Sequence, residues 1–230
     1  MIGFFVKCVV LILPAFCSFA GSLNFNGIAG AGNYDVPVTS FLERRFKTVY
    51  KQQYDFSCGS ATLASLLTYH YDDTVDEQSV FVDMYQNGDQ QKIQKQGFSL
   101  LDIKLYLERH GYRSDGFKIT LDQLIAANVP AITIINNNGY LHFIIIKGLN
   151  EQEVLVGDPA VGIKAIARDE FEQMWDNRIL FLIHDKQDVA AKHFQDQQEW
   201  ALRVKAPLGS AVDRSSLAQF NMLQPGHWDF

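Results

Sequence analysis

The chain has 230 residues, 47% hydrophobic and 20% charged, which suffices for one core of ordinary domain size. A formal charge of −6 and the lack of any Lys/Arg-rich run exclude the electrostatic footprint of a nucleic-acid binder. No internal repeat or low-complexity tract suggests a solenoid or a fibrous chain.

Residues 1–20 read as an export signal: Lys7, an apolar stretch from Cys8 to Phe16, then Ser18-Phe19-Ala20 with small residues where a signal peptidase cuts. The expected mature start is Gly21. With Pro14 inside it, the apolar stretch is shorter than the ~20 residues a membrane-spanning helix needs, so no stable span is expected after cleavage. Phe16 before Cys17 argues against a lipidated cysteine. Cys8 and Cys17 would leave with the signal, and Cys58 would remain as a lone thiol unable to form an internal disulfide. Such a thiol is either a small buried hydrophobe or a group in use.

Residues 21–40, rich in Gly, Asn and Ala, read as a flexible lead-in with an extended piece at Val36-Pro37-Val38. A domain spanning 41–184 follows, and 185–230 form a carboxy-terminal extension. Within the domain, Ala61, Ala64, Leu67 and Tyr71 recur at helical spacing, so a helix is expected to begin at or just before Cys58. A second helix is expected over Asp76–Tyr85. A third opens at Ser99-Leu100-Leu101-Asp102, a capping box, turns Leu100, Ile103 and Leu107 inward and ends by Gly111. A short fourth begins at Thr120.

From Pro130 the pattern becomes β-branched, with strands expected over 131–135, 140–147, 154–157, 163–166 and 179–183. Asn136-Asn137-Asn138-Gly139 is a hairpin turn between the first two, and Asn150 lies in the next turn. A helical half followed by an antiparallel half predicts an α+β domain with the N-terminal helices packed on one sheet. Beyond His184 the chain turns polar, with a helix expected around 189–204 and a Pro/Gly/Ser-containing tail.

Cys58 in Ser57-Cys58-Gly59-Ser60 sits where a helix amino terminus would place partial positive charge and free N–H groups beside the sulfur, which favours a thiolate. A nucleophile of this kind needs a base. His70, His110, His184, His193 and His227 lie at element ends or in the tail and read as structural or solvated. His142 lies near the start of an apolar strand, where a polar ring needs a defined partner. The next strand ends at Asp158-Pro159, and pairing of the two strands could bring that carboxylate beside the imidazole. Read singly, His142 is equally a satisfied sheet histidine and Asp158 a loop starter. Asp72, Asp73 and Asp76 lack the spacing of a calcium loop, no Cys/His spacing suits zinc, and no cofactor is expected. The plentiful aromatic residues read as core.

Taken together, Gln52 six residues before Cys58, the Cys58-Gly59 pair, His142-Phe143, and Asp158-Pro159 sixteen residues beyond the histidine resemble the C39 peptidase family. The resemblance covers about Gln52 to Ile183 and implies a papain-like cysteine peptidase fold. It implies Cys58 as nucleophile, His142 as general base and then acid, Asp158 as the group orienting His142, and Gln52 as an oxyanion donor. The chain departs from leader-trimming members by having Ser57 rather than Asp before the nucleophile, and no phosphate-binding loop is present. Its Gln52-Gln53-Tyr54-Asp55-Phe56-Ser57-Cys58-Gly59 run is more similar to stand-alone periplasmic members, including the type that accompanies bacterial functional-amyloid secretion systems. The expected function is therefore an exported, periplasmic cysteine endopeptidase acting on a peptide or protein substrate, such as a secretion-system or amyloid component. A catalytically silent peptide-binding module, or a peptidyl transferase or deamidase, would share the same residues.

Overall fold

The computed structural model describes residues 21–26, 33–38, 40–54, 56–137 and 139–202. The expected signal segment and the tail with His227 lie outside them. Two units are distinct, one ending at Glu43 and one beginning at Arg44. In the first, β1 (Gly21–Asn26) and β2 (Asn33–Val38) pair antiparallel with Gly21 opposite Val38, so the extended piece at Val36–Val38 belongs to a paired strand. A short helix α1 (Phe41–Arg45) crosses the division in sequence.

The second unit opens with α2 (Cys58–His70), α3 (Glu77–Asn87), α4 (Gln90–Gln96) and α5 (Leu100–Arg109). It continues through β3 (Ser114–Phe117), α6 (Leu121–Ala127), β4 (Ala131–Asn137), β5 (Tyr140–Leu149), β6 (Glu153–Asp158) and β7 (Gly162–Ala167). α7 (Arg168–Met174), β8 (Leu180–Ile183), α8 (Gln187–His193) and α9 (Gln197–Trp200) complete it. The six strands β3 to β8 form one antiparallel sheet in the order β3-β8-β4-β5-β6-β7, giving the α+β architecture.

Strand alternation sends successive side chains to opposite faces, and both faces are covered. Ile132, Phe143 and Ile145 join Leu63, Leu66 and Leu67 of α2 and Ile103 and Leu107 of α5 in one core. Their neighbours Ile144 and Ile146 join Leu121 and Leu124 of α6 and Phe171 of α7 in another. The N-terminal helices thus cover one face as expected, while α6 and α7 cover the other. Two of the N-terminal helices start on side-chain caps: Asp76 accepts from Ser79 N at 3.0 Å, and Ser99 with Asp102 forms the reciprocal capping box.

The helix expected around 189–204 is broken in two. Phe194 is extended, Gln195 takes φ 64°, and the Gln195 N–H donates to the Lys147 carbonyl at 2.8 Å, which a continuous helix could not do. Lys147 itself lies where the β5–β6 register shifts between Ile146 and Gly148, an extra residue in a β-bulge. Its side chain is fully buried and its ammonium meets Glu199 Oε1 at 2.6 Å, Thr48 Oγ1 at 2.8 Å and the Thr48 carbonyl at 3.1 Å. Burial pushes the Lys147 ammonium below its ordinary range, and Glu199 opposes that shift. This pair fastens α9 to the sheet, with Trp200 packed beside Val49, Leu155 and Ile163.

Removing one member of such a pair strands the other charge in the interior. Glu199→Ala is expected to lower the unfolding free energy by about 3–5 kcal/mol in urea titration, whereas the double change Lys147→Met, Glu199→Leu loses much less. Equal losses would mean that charge pairing is not what holds α9.

Candidate active site

α2 begins at Cys58, as its apolar periodicity predicts. The turn before it is locked: Ser57 N and Ser57 Oγ both donate to the Tyr54 carbonyl at 3.0 Å, and Tyr54 N donates back to Ser57 Oγ at 3.1 Å. Ser57 is the N-cap residue, yet its hydroxyl bonds no helix N–H, so the first N–H groups of α2 are not consumed by their own cap. Below that turn, Ser60 Oγ lies between the Ser57 carbonyl at 2.9 Å and Glu77 Oε1 at 3.0 Å. Burial pushes the Glu77 carboxyl up, opposed by the Ser60 hydroxyl.

The Cys58-Gly59 pair has a steric cause. A Cβ at Gly59 would lie 2.9 Å from the Phe98 Cβ, so only glycine lets α2 pack this closely on the segment leading into α5. Phe98 also meets Phe81 edge-on at 5.5 Å. From Phe81 the aromatic contacts run to Phe56, Tyr54 and Tyr85. Tyr54 is 57% exposed, so this cluster is partly a surface beside the start of α2 rather than the pure core that composition suggested.

His142 stands near the start of β5 and Asp158 is the last residue of β6. The strands place them in contact: His142 Nε2 lies 2.7 Å from Asp158 Oδ1, with both side chains buried. Asp158 Oδ1 also accepts from Ala160 N at 2.9 Å, the Asx-type turn that sets the carboxylate's direction, and Lys164 Nζ lies 3.2 Å from Asp158 Oδ2. Tyr140 stacks on the other part of the histidine, with ring centres 5.9 Å apart.

Burial alone would push the imidazole down, but the Asp158 hydrogen bond and the neighbouring Cys58 thiol overcome it and raise His142 to about 9. Burial would raise Asp158, but the His142 bond, the two charges His142 and Lys164, and the Ala160 N–H hold it at about 2. Cys58, 6% exposed, therefore acts electrostatically on the ring. Among the described residues Nδ1 of His142 has no partner of hydrogen-bond geometry, while Nε2 is held by Asp158.

Gln52 lies on the segment entering this turn. Its N–H donates to the Pro159 carbonyl at 3.0 Å, tying its loop to the residue after Asp158. Its Oε1 is buried with no hydrogen-bond partner among the described residues. The other sorted histidines lie apart from these groups. His193 pairs with Asp72 at 3.1 Å, His184 lies 3.4 Å from Asp115, and His110 Nδ1 contacts the Tyr106 carbonyl at 2.8 Å. His70 is buried without a ring partner, and burial, Lys147 and His193 push it well below the ordinary imidazole range, so it is neutral. Among the described residues no cluster of His, Cys, Asp or Glu is placed to hold a metal ion, and no helix is long and apolar enough to cross a membrane.

Sequence reasoning passed over Lys164 and Glu77. Neither carries a local signal, because Lys164 meets Asp158 only through the β6–β7 register and Glu77 meets Ser60 only through the packing of α3 on α2.

Residues 46–187 match the Peptidase C39 family. A protein of Pseudomonas fluorescens described as "Probable functional amyloid protease FapD" is 33% identical over 217 residues, covering 94% of this chain and 96% of that protein. Its namesake in Pseudomonas aeruginosa is 33% identical over 215 residues, covering 94% of this chain and 95% of the other. Among solved structures, the peptidase domain of Streptococcus ComA, a bi-functional ABC transporter involved in a quorum sensing pathway, superimposes with a TM-score of 0.50 at 18% identity. That superposition covers 59% of this chain and 96% of that domain, and it shows a shared fold. With its fold, its lone described thiol and these relatives, the chain belongs to the Peptidase C39 family and is a cysteine peptidase.

Proposed function

We propose that the chain is an exported endopeptidase of a functional-amyloid secretion system that cleaves a protein substrate through Cys58, His142 and Asp158, with Gln52 at the oxyanion. The observation that carries this reading is the buried His142–Asp158 contact at 2.7 Å, which leaves Nδ1 for the Cys58 thiol at the start of α2. The amyloid assignment rests on the similarity to the FapD proteins over nearly the whole chain. Export to the periplasm rests on the signal-like residues 1–20.

In this mechanism the Nε2–H of His142 donates to Asp158, so Nδ1 is the nitrogen that takes the thiol proton, giving the imidazolium that the raised His142 favours. The thiolate attacks the scissile carbonyl carbon, and the carbonyl oxygen becomes an oxyanion facing the Cys58 backbone N–H and the Gln52 side-chain amide. His142 returns the proton to the leaving amine as the C–N bond breaks, leaving an acyl-thioester. Water, deprotonated by His142, then attacks the thioester and restores the thiol. The Gln52 N–H bond to the Pro159 carbonyl supports the Gln52 role by coupling the oxyanion loop to the Asp158 turn. The partly exposed Tyr54, Phe56 and Phe81 cluster supports a peptide substrate, since it offers apolar contacts beside the nucleophile.

Purified protein incubated with amyloid-system polypeptides and read by mass spectrometry should yield defined fragments with free carboxyl termini, and Cys58→Ala should lower that rate by at least about 10³-fold. A Cys58→Ala protein that cleaves as fast as the parent would falsify the assignment. Products ligated to an amine would instead indicate transfer.

Gln52→Ala should lower kcat by about 10²- to 10³-fold with little change in KM, because its contribution arises as the oxyanion forms. A change confined to KM would remove Gln52 from that role.

The same ion pair predicts a pH window for stability. His142, raised from 6.5 to about 9, contributes stability that is fully present below 6.5 and lost as pH rises through about 9. Asp158, depressed from 3.8 to about 2, contributes stability present above 3.8 and lost as pH falls through about 2. The unfolding free energy of the parent should therefore exceed that of Asp158→Asn most between pH 3.8 and 6.5. The excess there should be on the order of 2 kcal/mol, narrowing on both sides. Denaturant titrations showing a pH-independent difference would contradict the pairing.

A further inference from the structure

The two oxygens of Asp158 keep different company. Oδ1 is taken by His142 Nε2 at 2.7 Å and by Ala160 N at 2.9 Å, while Oδ2 faces the ammonium of Lys164 at 3.2 Å. The β6–β7 hairpin creates this approach. Asp158 pairs with Gly162 and Val156 with Lys164, so Lys164 lies two residues along on the same face, a diagonal cross-strand neighbour of the carboxylate. The hairpin is closed by Gly162 at φ 81°, where a Cβ would also strike the Arg45 carbonyl at 2.6 Å, so the register that delivers Lys164 has little freedom to slip.

The titratable groups around this carboxylate and its histidine are few. Cys58 approaches from α2 and Tyr140 stacks from β5. Glu77 of α3 lies under the first turn of α2, bonded to Ser60. The guanidinium of Arg45 is engaged by the Ile163 carbonyl at 3.0 Å. Lys164 is the cation that touches the Asp158 end of the chain of charges.

We propose that Lys164 is a positioning residue of the peptidase site, pinning the Asp158 carboxylate through Oδ2 and setting the pH range over which the Cys58 thiolate and His142 imidazolium coexist. The inference rests on the Cys58–His142–Asp158 reading given above. Its sign follows from charge alone: removing a cation favours the protonated form of every acid nearby. The Lys164 side chain is 32% exposed, so solvent screens part of the effect. An upward displacement of about half a pH unit is the expected scale.

Carboxymethylation of Cys58 in the full chain by iodoacetate, followed by peptide-resolved mass spectrometry so that Cys8 and Cys17 do not contribute, measures this without a substrate. The anionic reagent is drawn to a thiolate beside an imidazolium, so the rate should rise as the thiolate forms and fall as His142 deprotonates. In Lys164→Gln both limbs should move up by about half a pH unit, and Lys164→Arg should return them to the parent positions. Lys164→Ala, read in the same way, serves if the glutamine variant does not accumulate. Limbs that stay in place in the neutral variants, or that move and are not restored by arginine, would overturn the role of Lys164 while leaving the triad intact. A parent whose Cys58 reacts no faster than free cysteine, with no bell-shaped profile, would overturn the triad reading itself and this inference with it.

Discussion

The antiparallel ladder joining β5, β6 and β7 is the constraint on which the molecule depends. It sets His142 against Asp158, carries Lys164 up to the far oxygen of that carboxylate, and through its bulge at Lys147 supplies both a buried ammonium and a carbonyl for the carboxy-terminal helices. A one-residue slip in any of these pairings would turn each side chain to the opposite face. The apolar runs Phe143–Ile146 and Val154–Val156, buried on both faces of the sheet, make such a slip expensive because each would trade one packed core for another of different shape.

Two clusters of charge are buried in the second unit, and they serve different ends. Lys147, Glu199 Oε1 and Thr48 bond one another and fasten α9, and the close approach of the Lys147 stem to Gly157 leaves no room there for a Cβ. Such a pair contributes little net stability over apolar replacements, but it selects one docking of the chain's end. Among the described residues, the His142–Asp158 pair is instead left without a hydrogen-bond partner at Nδ1. A buried imidazole with one nitrogen held by a carboxylate has its ring orientation fixed by that bond.

The start of α2 shows how local sequence and packing divide the work. The Tyr54–Ser57 turn is a local structure, closed by three hydrogen bonds among neighbours in sequence. What anchors that turn is not local: Gly59 presses on Phe98, Ser60 reaches Glu77, and Gln52 is tied to Pro159. The turn carrying Cys58 is thereby held from three directions by segments distant in the chain.

Much of this could be read in advance from periodicity and spacing. The helix beginning at Cys58, the Ser99–Asp102 capping box, the hairpin between β4 and β5, and the pairing of His142 with Asp158 all follow from residues whose patterns are short-range or whose spacing is fixed by one hairpin. Other elements had no such pattern. α4 buries only Ile93, β3 contains Asp115 and Gly116 and exists because β8 pairs with it, and α7 buries only Phe171. The break at Gln195 was likewise invisible, because the Lys147 carbonyl that draws it is 48 residues away in sequence. The sequence by itself determined which residues could form helices and strands and which thiol, imidazole and carboxylate were available for chemistry, since those depend on side-chain type and on neighbours within a turn or two. Only the tertiary structure decided that Lys164 meets Asp158, that Glu77 lies beneath the cysteine turn and that Glu199 closes the fold on Lys147. Those contacts arise from strand register and helix packing, whose energies are summed over many distant residues and written in no single stretch of chain.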